Sequence, residues 1–335
     1  MLFDRRTMLV ALAAAPAARA AVGRAEFIYE TAPFPECHAS TIVEIKPGEL
    51  LAAWFGGTEE KAPDVAIWTA RRVNGKWTTP EEVVREPKIP TWNPVLYFLK
   101  DGRLCLNYKV GPSPQTWTSA NKYSTDGGRT WTAPELLPAG LLGPIKNKPL
   151  VLPNGTILAG TSTESYKTWA CWVERSTDNG KTWTKHGPIV VPGEIHGIIQ
   201  PSIVPLRGGK LLRMYVRSTQ RIGKVCYADS TDGGRTWSEA KPTSLPNPNS
   251  GTDAVGLKDG RVVLVYNHTP KGRSPLNVAV SKDGDTWSAP LVLESEPGEY
   301  SYPAVIQGAD GTVHITYTWK RKRVKYVALA LNELA

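Results

Sequence analysis

Short apolar runs recur along the whole chain, and within each unit a glycine turn separates one run from the next. The turn glycines stand at 48, 102, 155, 209, 260 and 311, in settings such as Lys100-Asp101-Gly102-Arg103. Successive steps are 54, 53, 54, 51 and 51 residues. The flanking runs, for example Leu50-Leu51-Ala52-Ala53-Trp54 and Val262-Val263-Leu264-Val265-Tyr266, have strand length and turn residues at their ends. No long stretch carries a 3.6-residue apolar period, so the pattern predicts strands and very little helix.

A second marker keeps the same interval. The phrase Ser-x-Asp-x-Gly-x-Thr-Trp, or a form one residue shorter, appears at Ser124–Trp131, Ser176–Trp183, Ser230–Trp237 and Ser281–Trp287, with a degenerate copy ending at Asn74-Gly75-Lys76-Trp77. Its chemistry is that of a tight turn. The Asp carboxylate accepts from turn amides, Gly supplies positive φ, and the Trp ring packs beneath. A unit of this size cannot bury a core by itself and must stack on its neighbours.

Four strands per unit and six units predict an all-β fold, a six-bladed β-propeller with four-stranded antiparallel blades. The last unit, from Tyr302 to about Leu334, has only three strand candidates. Residues 25–31 form a lone apolar segment that either supplies the missing outer strand, closing the ring, or remains a loose terminus.

Composition alters this picture at one end of the chain. Asp4-Arg5-Arg6-Thr7-Met8, an Ala/Leu run and Ala18-Arg19-Ala20 read as a twin-arginine export signal over residues 1–20, leaving one propeller domain over 21–335. The apolar run is too short to span a membrane. This predicts a periplasmic or secreted bacterial protein. The net charge of +9 falls to about +7 without the signal, and the cations are spread over all units with no basic stripe, which argues against nucleic acid. Cys37, Cys105, Cys171 and Cys226 lie in separate units without metal-ligand spacing and read as free buried thiols. No phosphate loop or metal motif appears, so no cofactor is expected, and the chain is expected to act as a monomer.

Propellers bind ligands at the mouth of the central channel, where the inner strands begin. Those starts offer His38, Asn93, Lys148, Gln200, Asp253 and Tyr302, six different polar residues. A structural ring would repeat one residue type, so this set reads as a binding site. Loops after the second strands add Lys109, Glu164, Arg217, Asn267, His268 and Trp319, and the charged loop 56–64 offers Asp64. Some of these have a purely structural reading: Asp253 as a salt-bridge partner of Arg217 or Lys148, His38 as a satisfied strand histidine, Asp64 as a turn cap. His186 and His314 read as surface and strand residues, and the run Lys320–Arg323 as a solvated hairpin tip that either stays in water or flanks an anionic ligand.

The repeated turns resemble the Asp-box (bacterial neuraminidase repeat) superfamily over nearly the whole mature chain. His38–Glu44, Phe55-Gly56-Gly57-Thr58, Pro246–Gly251 and Glu299–Pro303 are similar to its exported, sialidase-like bacterial branch. The resemblance implies a site in which three arginines hold a substrate carboxylate, an Asp on a unit-one loop protonates the leaving group, and a Tyr paired with a Glu attacks. By position, Asp64 matches the acid, Arg217 one arginine, and Tyr300 or Tyr302 the nucleophile. His38 stands where the first arginine is expected, and Asn267 and His268 where another is.

The leading expectation is therefore a sialidase-like glycosidase acting on a terminal acidic sugar of an oligosaccharide. Arg217, Lys148 and His38 hold the carboxylate, Asp64 is the acid, and Tyr302 or Tyr300 is nucleophile or base with Glu164 or Asp253 as partner. Two alternatives stay open: a polysaccharide lyase acting on a uronate-containing glycan, in which His38 or Tyr302 removes the C5 proton, and a non-catalytic glycan-binding propeller.

Overall fold

The computed structural model describes residues 23–334 together with the backbone of Arg19–Ala20. Six antiparallel sheets follow one another along the chain as the blades of a propeller. Blade 4 shows the plan most fully: Ile198–Leu206 inside, then Leu211–Ser218, Lys224–Ser230 and Lys241–Pro246 outside. Helix is limited to two short 3-10 turns among the described residues.

The lone N-terminal segment does close the ring. Arg24–Phe27 pairs antiparallel with Arg323–Leu329, giving blade 6 its fourth and outermost strand. Glu26 fastens it sideways, accepting from Arg72 at 2.8 Å and from the Trp77 indole at 3.1 Å in blade 1. The export signal expected at residues 1–20 lies outside the described residues apart from the Arg19–Ala20 backbone, which runs parallel to Leu291 and Val292.

Apolar side chains pack between neighbouring blades. Phe55, Ile67, Trp92 and Leu106 join blades 1 and 2; Val265, Val278, Ile315 and Val327 join blades 5 and 6. The four free cysteines are buried.

Each Asp turn is a hydrogen-bonded knot. Asp126 accepts from the amides of Arg129 and Thr130, both at 2.9 Å, and from the Thr130 hydroxyl at 2.6 Å. Those bonds from Thr130 hold the Asp126 carboxyl well below its ordinary range. Ser124 closes the knot by accepting from Gly128 N at 2.7 Å. The turns follow the third strands, so they sit at the end of the propeller opposite the starts of the inner strands.

Four inner strands break register near their first residues, between His38 and Thr41, Trp92 and Val95, Ile199 and Ser202, and Ser301 and Ala304. At each break one residue adopts positive φ: Ala39, Asn93, Gln200 and Tyr302. A bulge of this kind re-aims a side chain. Blades 3 and 5 have shorter inner strands, Leu150–Val151 and Asp253–Gly256.

Candidate functional site

Tyr302 is the hub of the mouth. Its hydroxyl accepts from Gln200 Nε2 and from Arg217 Nη1, both at 3.0 Å. Its ring lies 4.1 Å, centroid to centroid, from His38. Three cations surround that ring: Lys146 Nζ at 5.6 Å, the Arg273 guanidinium at 5.8 Å and that of Arg217 at 5.9 Å. Arg217 is fixed by Asn249 Oδ1 at 2.8 Å, and Asn249 belongs to the Pro246–Gly251 segment.

His38 is buried and shares a 3.0 Å hydrogen bond with Thr318 Oγ1 through Nδ1. Burial, then the charges of Arg321, Arg273, Lys146 and Arg217, push it well below the usual histidine range. It is a neutral imidazole near pH 7, and so adds no positive charge to hold a carboxylate.

Lys148 and Asp253 meet each other rather than the mouth. Lys148 Nζ contacts Asp253 Oδ2 at 2.9 Å, and Asp253 also accepts from Ser202 Oγ at 2.7 Å and from Val305 N at 2.8 Å. Ser202 and Val305 follow Gln200 and Tyr302 by two and three residues, so this pair lies one layer down the channel. Of the two roles open to Asp253 in the sequence, the geometry matches the salt bridge.

Sequence reading passed over Lys146, which stands where Lys148 was expected. Its ammonium is buried among Asn147 Oδ1 at 2.8 Å, the Thr252 carbonyl at 3.3 Å and the Pro303 carbonyl. Burial lowers it to about 7, with Lys148 and Arg217 adding to the shift and Asp253 opposing it. Lys109 is likewise buried and lowered to about 7 by burial, but it donates to Asn107 and, at 2.9 Å, to the Pro144 carbonyl. Lys109 therefore anchors the segment that leads to Lys146 rather than facing ligand. Asn93 ties to the same segment through the Ile145 carbonyl at 3.1 Å.

Acidic groups also converge here. Arg321, read as part of a solvated tip, folds back to pair with Glu60 and with Glu299, the latter at 2.6 Å. Arg273 Nη1 reaches Glu299 Oε1 at 2.7 Å. Although burial pushes Glu299 up, Arg273 and Arg321 hold it below the usual carboxylate range. Glu164 Oε1 is buried without a hydrogen-bond partner. Burial raises its carboxyl to about 7, with Glu60 adding to the shift and Arg217 opposing it.

Asp64 is tied into its own loop. Its carboxylate accepts from Thr58 N at 3.0 Å and from Thr58 Oγ1 at 2.7 Å. The loop carboxylate that pairs with a mouth arginine is Glu60. Tyr300 sits in the core between blades 5 and 6, and Asn267 Nδ2 donates to the Pro275 and Tyr300 carbonyls at 2.9 and 3.0 Å. His268 pairs with Tyr266 and is lowered by burial and by Lys224. Of the sequence candidates, His38, Gln200, Arg217 and Tyr302 come together. The arrangement joins four cations to a tyrosine and several carboxyls, and so fits a carboxylated ligand. No group of three His, Cys, Asp or Glu with metal-binding geometry occurs among the described residues, and no described helix is long and apolar enough to cross a membrane.

A family model described as a BNR repeat-like domain matches residues 48–315. A sialidase from Bacteroides fragilis is 24% identical over 230 residues, covering 63% of this chain and 41% of that protein. The chain thus spans less than half the length of this relative. Among solved structures, a Dyadobacter fermentans protein of unknown function superposes with TM-score 0.77 at 20% identity, over 92% of this chain and 98% of that one. The intramolecular trans-sialidase of Ruminococcus gnavus superposes with TM-score 0.75 at 15% identity, over 95% and 99% of the two chains.

Proposed function

Since the chain belongs to the BNR repeat-like domain family, we propose that it is a sialidase-like glycosidase that releases a terminal carboxylated sugar from a glycan. The observation that carries this reading is the mouth tyrosine, Tyr302, ringed by Lys146, Arg273 and Arg217 within 5.9 Å. Arg217, Arg273 and Arg321 hold the sugar carboxylate, a task suited to planar guanidinium donors. Tyr302 faces the anomeric carbon and supports the positive charge that develops there. Glu164, protonated up to about pH 7, gives its proton to the departing oxygen. Water then completes the bond to the anomeric carbon and returns a proton to Glu164. The export signal read at residues 1–20 supports a site of action outside the cytoplasm.

One observation favours a second reading. The partner of Tyr302 is Gln200, an amide, where a nucleophilic tyrosine calls for a carboxylate base. In a uronate lyase no such base is needed. Neutral His38 takes the C5 proton, the C4–O bond breaks, a C4–C5 double bond forms, and the leaving oxygen takes the proton of the Tyr302 hydroxyl.

Incubation with a panel of sialosides and uronate-bearing glycans separates the two. Release of free acidic sugar without new ultraviolet absorbance supports the glycosidase; absorbance from an unsaturated sugar replaces it with the lyase. Saturable binding without product overturns both.

A further inference from the structure

Gln200 and Pro303 fall inside the register breaks of blades 4 and 6, and Thr252 stands just before the inner strand of blade 5. The carbonyls of all three accept from one buried dipeptide of blade 3, Lys146-Asn147. Asn147 Nδ2 donates to the Gln200 carbonyl at 3.0 Å, and Lys146 Nζ donates to the carbonyls of Thr252, at 3.3 Å, and Pro303. Lys146 Nζ also donates to Asn147 Oδ1 at 2.8 Å, so the two side chains act as one unit. An ammonium has three N–H donors, and these partners use all three. Lys146 is therefore not free to take a ligand.

The dipeptide is itself anchored at every step that leads to it. Glu174 accepts from Leu142 N at 3.0 Å and from Gly143 N at 2.6 Å. Lys109 holds the Pro144 carbonyl, Asn93 holds the Ile145 carbonyl, and Ile145 N donates to the Gly160 carbonyl at 3.0 Å. What it grips needs holding. Gln200 and Tyr302 have φ of 59° and 52°, a conformation that bulky residues keep only where their surroundings over-determine it. The fit around them is close. A Cβ on Gly251 would meet Gln200 Oε1 at 3.2 Å, Tyr302 Cδ2 at 3.3 Å and Lys146 Cε at 3.5 Å.

We infer that Lys146 and Asn147 are positioning residues: they tie the inner-strand starts of blades 4, 5 and 6 together and so set Gln200 against Tyr302. Blade 3, whose own inner strand is short, lends its approach segment to the other three. Gly251 completes the device by leaving just enough room between the two side chains. The effect on turnover rests on the glycan-active reading of the mouth; the positioning itself does not.

Fluorine NMR on the full-length protein labelled with 3-fluorotyrosine tests this without a substrate. The Tyr302 line is identified by its loss in Tyr302→Phe. Lys146→Met removes the ammonium, and Gly251→Ala wedges a methyl between Gln200 and Tyr302; each should shift or broaden the Tyr302 line. Asp126→Ala, at the opposite end of the propeller, should lower stability and leave that line in place. A line unmoved in both mouth variants, or moved as much by Asp126→Ala, overturns the positioning role. Where Lys146→Met does not fold, Gly251→Ala decides alone. On whichever glycan of the panel gives product, kcat should fall by about 10²-fold in both variants with KM changed less than about threefold. An unchanged kcat overturns the inference, whatever KM does. If the panel gives no product while the Tyr302 line moves, the mouth reading fails and the positioning role stands.

Discussion

Gln200 Nε2 donates to the Tyr302 hydroxyl at 3.0 Å, joining blade 4 to blade 6 across the channel mouth. An amide cannot take up a proton, so it holds the phenol without activating it. Gln200→Glu would put a carboxylate in its place, with Arg217 Nη1 already 3.4 Å from the present amide oxygen. The expected outcome is a rise of about tenfold or more in hydrolytic turnover, followed by release of free acidic sugar. An unchanged or lower rate would show that a carboxylate beside Tyr302 adds nothing to the support it gives the anomeric carbon.

Tyr302→Phe removes one hydroxyl and leaves the packing against His38. Turnover should fall by about 10²–10⁴-fold, with an unaltered near-ultraviolet circular dichroism spectrum. Loss of less than tenfold would mean that the tyrosine only shapes the mouth.

Asp253 is expected to matter for stability. In Asp253→Ala, Lys148 keeps only the Ala254 carbonyl at 2.9 Å as partner. Breaking a buried pair from one side costs about 3–5 kcal/mol. The urea midpoint should drop accordingly, while ligand affinity per folded molecule stays the same. A variant that folds normally and loses turnover would return Asp253 to the chemistry.

Glu60 and Asp64 share a loop and differ in reach. Glu60→Gln removes the charge of one of the two carboxylates that orient Arg321, and turnover should fall by more than about tenfold. Asp64→Ala releases Thr58 and should chiefly raise KM. Equal effects of the two variants would contradict this division.

Glu164 gives the protein a pH-dependent term with a definite sign. Its carboxyl is raised from 4.5 to about 7 in the folded state, mainly by burial. The folded protein therefore holds this proton more tightly than the unfolded chain does. The stabilising contribution is complete below pH 4.5, declines through the interval up to about 7, and is gone above it. Glu164→Gln cannot lose that contribution, so its urea midpoint should gain on the wild type as pH rises from 5 to 8. Parallel curves would show a solvated carboxyl.

The blades were legible in the sequence because each Asp turn is local: Ser124, Asp126, Gly128 and Thr130 bond one another within seven residues. Ring closure by Arg24–Phe27 was legible because one unit lacked a strand. The site was legible where a bulged strand start carries the residue, as with Gln200 and Tyr302, and at the end of a second strand, as with Arg217. Counting back from Pro149 pointed to Lys148, two residues from the ammonium under Tyr302, because the approach to blade 3 is irregular and Asn93 and Lys109 bend it to their own donors. Arg273, Arg321 and Glu60 reach the mouth from loops, and loop reach depends on neighbouring blades that a linear pattern does not rank.

Pairing Arg24–Phe27 with Arg323–Leu329 imposes an order on folding. Residues 24–27 leave the ribosome long before their hydrogen-bonding partners, which lie within residues 323–329. Blades 1 to 5 can assemble as they emerge, while the nascent torus stays an open crescent with one raw sheet edge. Tyr302 belongs to blade 6, so the mouth has no hub until the first five blades have already been made.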